Sequence, residues 1–274
     1  RPIWDFEDIG DWWKRADAAA IAPVVAVPTT AGTGSEVGRA AVITNSETHT
    51  KKVIFHPRML PEIVISDPAL TVGVPPMITA GTGMDALAHC LEAYFAPSFH
   101  PMSEGIAVEG ARLVKDALPR AVADGADLEA RAMLLAAASM GAVAFQKGLG
   151  AIHAVSHPVG ALYDTHHGLT NAVFMPYVLA FNRDAIATKA ARLAAWLGLA
   201  QADLDGLIDW VLALRDAIGI PHDLQGLGVT EDSRFAQMAE MAVVDPTAGG
   251  NPLPLDVAGA LHIYRAAAAG KLAE

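Results

Sequence analysis

The sequence predicts two kinds of structure in succession: a small α/β portion over residues 1–74 and a larger all-helical portion over 75–274. Three observations carry this reading. Short β-branched runs, bounded by proline and asparagine, crowd the first seventy residues. After Pro75-Pro76 the apolar residues recur at helical spacing nearly to the end. Alanine-rich stretches such as EARAMLLAAASMGAVAF fill the second portion, and alanine is the strongest intrinsic helix former.

Taken in order, residues 7–20 form a short amphipathic segment that leads into PVVAVPTT at 23–30. VVAV, ended by Pro28, reads as a buried strand. The Gly/Thr loop AGTGSE follows at 31–36. Strand-like pieces come next at 40–44, 51–55 and 62–67, separated by Asn45-Ser46, Pro57 and Pro61. Pro75-Pro76 suits a helix entry, because proline is tolerated in the first turn. The apolar period then predicts helices over 77–95, 103–124, 128–148, 149–162, 171–181, 185–197, 204–218, 234–241 and 256–269. No internal repeat is visible.

The 53% hydrophobic fraction and 18% charged fraction predict a large buried core and exclude a disordered chain. The net charge of −11, with no basic run, excludes a nucleic-acid surface. The apolar runs 18–27 and 133–145 are too short to span a bilayer, so no membrane partner is expected. The single cysteine, Cys90, excludes an internal disulfide and fits a cytoplasmic setting. Beside His89, it reads as a buried structural thiol.

Histidine carries the chemical signal. Four of the ten fall in AIHAVSHPVGALYDTHHG at 151–168. Upstream, GMDALAHCLEAY at 83–94 sets Asp85 and His89 four apart, on one helix face, and Glu92 continues that stripe. His153 and His157 repeat the spacing on a second helix. His166-His167 follow Tyr163-Asp164, where that helix should end. Two helices and a loop can thus supply a carboxylate and imidazoles to one divalent ion. Such a donor set suits Fe²⁺ or Zn²⁺ better than Mg²⁺ or Ca²⁺. His49, His56, His100, His222 and His262 are scattered and read as surface or core residues.

GMDALAHCLEAY, AIHAVSHPVGALYDTHHG and PTTAGTGSE at 28–36 together resemble the iron-containing, group III alcohol dehydrogenase family, in order along the chain. The resemblance implies the C-terminal half of a Rossmann-like nucleotide-binding domain followed by an all-α metal-binding domain, a dehydroquinate synthase-like architecture. It implies Asp85, His89, His153 and His167 as metal ligands. His157 would be a proton relay or a pocket wall, and His166 a bystander. Thr29, Thr30, Thr33, Gly34 and Ser35 would face NAD or NADP, joined by Lys51 (or Lys52 beside it), Leu70 and Thr71. Gly38 stands where many relatives carry a hydroxyl. The implied reaction is hydride transfer between a small alcohol or aldehyde and nicotinamide, in a homo-oligomer.

The family's phosphate-binding loop of GGGSxxDxAK type, and the region that selects NAD over NADP, would precede Arg1. The sequence is therefore expected to be partial. Glycerol dehydrogenase, dehydroquinate synthase and maleylacetate reductase are similar scaffolds. PTTAGTGSE and the long histidine segment fit the alcohol dehydrogenase branch better, and four filled ligand positions argue against the reductase. The reading from another class is a metal-binding helical module without catalysis.

Overall fold

The computed structural model describes residues 1–47 and 50–272, without the side chains of Thr44, Thr50 and Lys51. The first portion is lightly built. Residues 7–20 do not form a continuous helix but 3₁₀ turns at Trp12–Arg15 and Ala18–Ala20, each secured by local hydrogen bonds. Strand β1 (Val25–Ala26) pairs in parallel with β4 (Ile63–Val64). Strands β2 (Ala40–Asn45) and β3 (Thr50–Phe55) form an antiparallel hairpin, with Ala40 opposite Phe55 and Asn45 opposite Thr50. Asn45 Oδ1 accepts from Glu47 N and tightens the turn. The expectation that VVAV is buried is overturned: Val25 is 56% exposed and Ile63 55%. Among the described residues β1 has one strand neighbour, β4, and Val25, Ile63 and Val64 are exposed while Ala26 is half-buried.

Nine α-helices lie among the described residues from Pro76 onward. They are α1 (Pro76–Phe95), α2 (Pro101–Ala123), α3 (Leu128–Ala144), α4 (Ala151–Tyr163), α5 (His167–Phe181), α6 (Arg183–Trp196), α7 (Leu204–Ala217), α8 (Phe235–Val243) and α9 (Val257–Ala269). Their starts are chemically marked. The side chains of Asp127, Asp203 and Asp256 cap α3, α7 and α9 by accepting from a backbone N–H three residues on.

Helix α1 is the rod around which the core is built. It packs against α2, α3 and α5, and its residues from Gly83 to Phe95 are all buried. Met84, Leu87 and Leu91 are essentially inaccessible, each worth roughly 1.5–3 kcal/mol of burial. Cys90 lies in the same core, as expected, and burial pushes its thiol up to about 12. The apolar unit at 133–145 proves longer than the run suggested. Leu128–Lys147 is 20 residues with mean hydropathy 1.4, long and apolar enough to cross a membrane by length and composition. Here α3 packs against α1 and α2 as a core helix.

Three of the helices carry an internal proline: Pro119 in α2, Pro158 in α4 and Pro176 in α5. Pro176 in α5 has no N–H to give the Ala172 carbonyl. Arg215 of α7, fully buried, fills the gap: its Nη1 donates to the Ala172 and Val173 carbonyl oxygens at 3.3 and 2.9 Å. The turn broken at Pro176 is thus satisfied from a neighbouring helix. Pro158 removes the N–H that the Ala154 carbonyl would accept from in α4, and one residue on the buried Tyr264 hydroxyl of α9 donates to the Val155 carbonyl at 2.8 Å.

Candidate metal centre

Asp85 and His89 stand one turn apart on the buried rod α1. Opposite them, α4 brings His153 in its first turn, and α5 begins with His167. His167 therefore opens a helix rather than lying in a turn. His166, the residue before it, caps that helix by accepting from Leu169 N. Asp164 ends α4 in the left-handed conformation at φ 54°, which turns the chain sharply toward α5. The first turn of α5 then meets α1 at a contact only glycine permits. A Cβ on Gly168 would lie 2.2 Å from the Gly81 carbonyl oxygen. This approach brings His167 beside Asp85.

The side chains converge. From Asp85 Oδ1 the distances are 3.9 Å to His89 Nε2, 3.6 Å to His153 Nε2 and 3.4 Å to His167 Nε2. Asp85, His89 and His153 each offer a donor atom within 4.8 Å of the others. The rings of His89 and His153 stack at 4.7 Å, and those of His157 and His167 at 5.4 Å. Asp85, His89 and His153 form a buried floor, whereas the His157 and His167 side chains are 29% and 39% exposed. Among the described residues of the set, the accessible side is the one that carries these two rings.

Its electrostatics favour a cation. Among the described residues, the ion pairs of Asp85 and Glu92 run only to imidazoles. Burial opposes ionisation of Asp85, but His89, His153 and His167 outweigh it and hold the carboxyl well below its usual range. Burial pushes His89 down to about 4, so this ring is neutral at pH 7. Burial also works against charge on His153, but Glu92 and Asp85 prevail and raise it to about 10. Two buried carboxylates with no lysine or arginine partner make a place for positive charge.

The chain's own atoms mark the spot. Asn171 Nδ2, fully buried on α5, lies 2.8 Å from Asp85 Oδ1, 3.2 Å from His153 Nε2 and 3.1 Å from His167 Nε2. An electropositive amide group thus rests where three ligand-type atoms point. Nearby, Asn171 Oδ1 and His89 Nδ1 are buried without a hydrogen-bond partner. Three ligand-type atoms converging on one buried point, with an amide group as their shared partner, fit a resident ion. The residues present are those a four-coordinate N₃O site requires.

His157 stands at the rim. Its Nδ1 is 2.8 Å from Asp245 Oδ2, and Asp245 is held in turn by the Thr247 N–H and hydroxyl. The Gly/Thr loop approaches the site from the other portion. Gly32 packs on Thr82, about one turn before Asp85, and Gly34 packs on Ala138 of α3. Gly34 sits at φ 64°, and a Cβ there would lie 2.3 Å from the Ala138 carbonyl oxygen, so its place is set by packing. Glu36, buried, accepts from the Ser139 hydroxyl at 2.6 Å and ties the loop to α3. Thr29, Thr30, Thr33 and Ser35 are exposed above this anchor. Leu70 is exposed, and the buried Thr71 spends its hydroxyl on the Pro68 carbonyl. Lys51 lies on β3, with its side chain outside the described residues. Lys52 is paired with Glu7 at 2.8 Å.

Three residues of this region gave little sequence signal. Asn171 stands four after His167 on the same helical face, a spacing hidden when α5 is read as starting at Asn171. Asp245 acts across 88 residues, where no local period reports it, and Glu92, although on the Asp85–His89 stripe, meets its partner across 61. Two scattered histidines also have a definite role: His56 and His100, each followed by proline, cap short and long helices. His-Pro at a helix start was the available signal.

The family profile described as "Fe-containing alcohol dehydrogenase family, C-terminal" matches residues 79–268, and "Iron-containing alcohol dehydrogenase" matches 1–68. The chain is 44% identical over 240 residues to a 4-hydroxybutyrate dehydrogenase of Cupriavidus necator, covering 84% of this chain and 62% of that protein. A solved 1,3-propanediol oxidoreductase superposes with TM-score 0.86 at 41% identity, covering 89% of this chain and 66% of that one. A sulfoacetaldehyde reductase of Bifidobacterium kashiwanohense, solved with NAD⁺, gives TM-score 0.87 at 30% identity, covering 97% and 69%. The chain spans about three fifths of the length of the curated relatives it matches.

Proposed function

The chain belongs to the iron-containing alcohol dehydrogenase family, and from that premise we propose that it serves metal-dependent, NAD(P)-linked oxidation of a small alcohol and reduction of the matching aldehyde. The observation that carries this is the convergence of Asp85, His89, His153 and His167 beneath an opening flanked by His157. These four residues would hold the ion, with Fe²⁺ or Zn²⁺ as the metals their chemistry suits. Bound there, the ion would supply Lewis-acid polarisation of an alcohol or carbonyl oxygen, and a nicotinamide would supply the hydride chemistry.

The protein's part is orientation, dryness and a proton route. Phe145 lies against His89 at 5.0 Å and shields the floor from water. Asp245 occupies Nδ1 of His157, so Nε2 of that half-buried ring is the atom left to pass a proton between substrate and solvent. The loop 29–35, anchored by Gly34 and Glu36, is the reading's contact for nucleotide. Lys51, Leu70 and Thr71 complete that surface, on residues 1–74 taken as part of the nucleotide-binding domain. Pairing with a second copy of the chain belongs to the same reading, as do a cytoplasmic home and the absence of nucleic-acid and membrane partners.

Metal analysis after anaerobic loading with Fe²⁺ tests it. The chain should retain a stoichiometric ion, and Asp85→Ala, His153→Ala and His167→Ala should each lose most of it. His157→Ala should keep the ion while aldehyde-dependent NAD(P)H oxidation falls roughly 10²–10⁴-fold. Full metal content in all three ligand variants would refute the assignment.

A further inference from the structure

We infer that Glu92 is the positioning residue of the metal centre, fixing which nitrogen of His153 faces the ion while capping the helix that carries it. This rests on the metal-binding reading above. Glu92 lies on α1, seven residues after Asp85 and three after His89, and its side chain is 5% exposed. Its two oxygens divide their work. Oε1 accepts from Ile152 N at 2.6 Å and His153 N at 3.3 Å. Oε2 lies 2.5 Å from His153 Nδ1.

The first contact solves a problem of helix α4. Its N-cap is Gly150, which has no side chain to accept from the first free N–H groups. Asn251 Oδ1 takes Ala151 N at 3.1 Å, and Glu92 takes the next two. Glu92 is therefore held in one orientation by the backbone of the turn that presents His153.

The second contact then has one chemical outcome. A carboxylate oxygen can only accept, so His153 carries a hydrogen on Nδ1. The metal-facing atom is Nε2, the one that lies 3.6 Å from Asp85 and 3.2 Å from the Asn171 amide. A carboxylate behind a ligating imidazole also makes that ligand more basic.

Glu92→Gln separates the two duties. Its amide oxygen must stay with the two backbone N–H groups, because the amide nitrogen would meet them donor to donor. The NH₂ group is thereby turned to Nδ1 and demands a lone pair there, which moves the His153 proton to Nε2. Glu92→Ala removes both contacts.

Zn²⁺ titration and thermal melts of the metal-free chain, with ¹⁵N spectra of its histidines after Zn²⁺ loading, test this directly. Wild type should show His153 coordinated through Nε2 with a hydrogen on Nδ1. Glu92→Gln should bind Zn²⁺ roughly 10–100-fold more weakly with the metal-free melting temperature kept. Glu92→Ala should lose both affinity and melting temperature. Unchanged affinity in Glu92→Gln overturns the inference, as does coordination of wild-type His153 through Nδ1. So does a Gln variant that melts as early as the Ala variant, which would make Glu92 a helix cap alone. Failure of wild type to bind any Zn²⁺ is a separate result: it sinks the metal reading, and this inference with it.

Discussion

Replacing Arg215 by alanine is expected to destabilise the fold by about 3–5 kcal/mol, although Arg215 touches none of the metal-site residues. The guanidinium is fully buried, and its hydrogen bonds run to carbonyls and an imidazole rather than to a carboxylate. Burial lowers its pKa, the mark of a charge held in apolar surroundings. Its value lies in what it mends. Pro176 leaves the Ala172 carbonyl without an in-helix donor, and Arg215 supplies one there and to Val173. Alanine would strand the Ala172 oxygen in the core, remove a second donor from the Val173 oxygen, and leave a cavity. Urea denaturation should show the loss as a lower midpoint, and the melting temperature should fall by roughly 10 °C. Arg215→Met, which refills the volume but cannot donate, should recover part of it. A cost below about 1 kcal/mol would mean that water replaces the guanidinium at no penalty.

Gly168→Ala should disable the site while leaving most of the helices formed. The added Cβ would sit 2.2 Å from the Gly81 oxygen and 2.6 Å from its carbonyl carbon. Both are backbone atoms of the central rod, so no side chain can swing away, and α5 must lift off α1. Overpacking of this kind costs about 1–3 kcal/mol. The larger effect is on His167 and Asn171, which move with the helix. A displacement of about 1 Å is enough to cost on the order of 10²-fold in a positioned site. Metal affinity should fall at least tenfold while far-UV circular dichroism stays near wild type. Gly105→Ala is the matched control. It lies exposed on α2 with open space around it, and alanine there should stabilise by about 0.5–1 kcal/mol. Wild-type affinity in Gly168→Ala would show that the α1–α5 contact can relax without moving the ligands.

The helices were legible because their determinants are local. Asp127, Asp203 and Asp256 mark starts, and the apolar period places the bodies of α1 to α9 within a few residues of the observed bounds. The pairing of Asp85 with His89 was legible as a single helical turn, while the joining of these two with His153 and His167 as one ligand set came from family resemblance. What stayed hidden depends on chain folding back over long distances. Glu92 meets His153 across 61 residues, Asp245 meets His157 across 88, and Arg215 meets α5 across more than forty. Local errors had local causes. The start of α5 was placed late because histidine is an uncommon cap. The burial of β1 was overstated because a β-branched run reports strand tendency and not what covers the strand.

The setting of Asp85 and His89 on a rod enclosed on every face has a consequence for how such a protein can diversify. Ala86, Ala88 and Gly83 leave no slack around α1, where a Cβ on Gly83 would already collide with Leu118. Substitutions that alter the floor disturb the core in the same stroke, so that floor is closed to gradual change. The side chains around the exposed edges of His157 and His167 are less tightly enclosed. New preferences in what the site accepts have room to arise there.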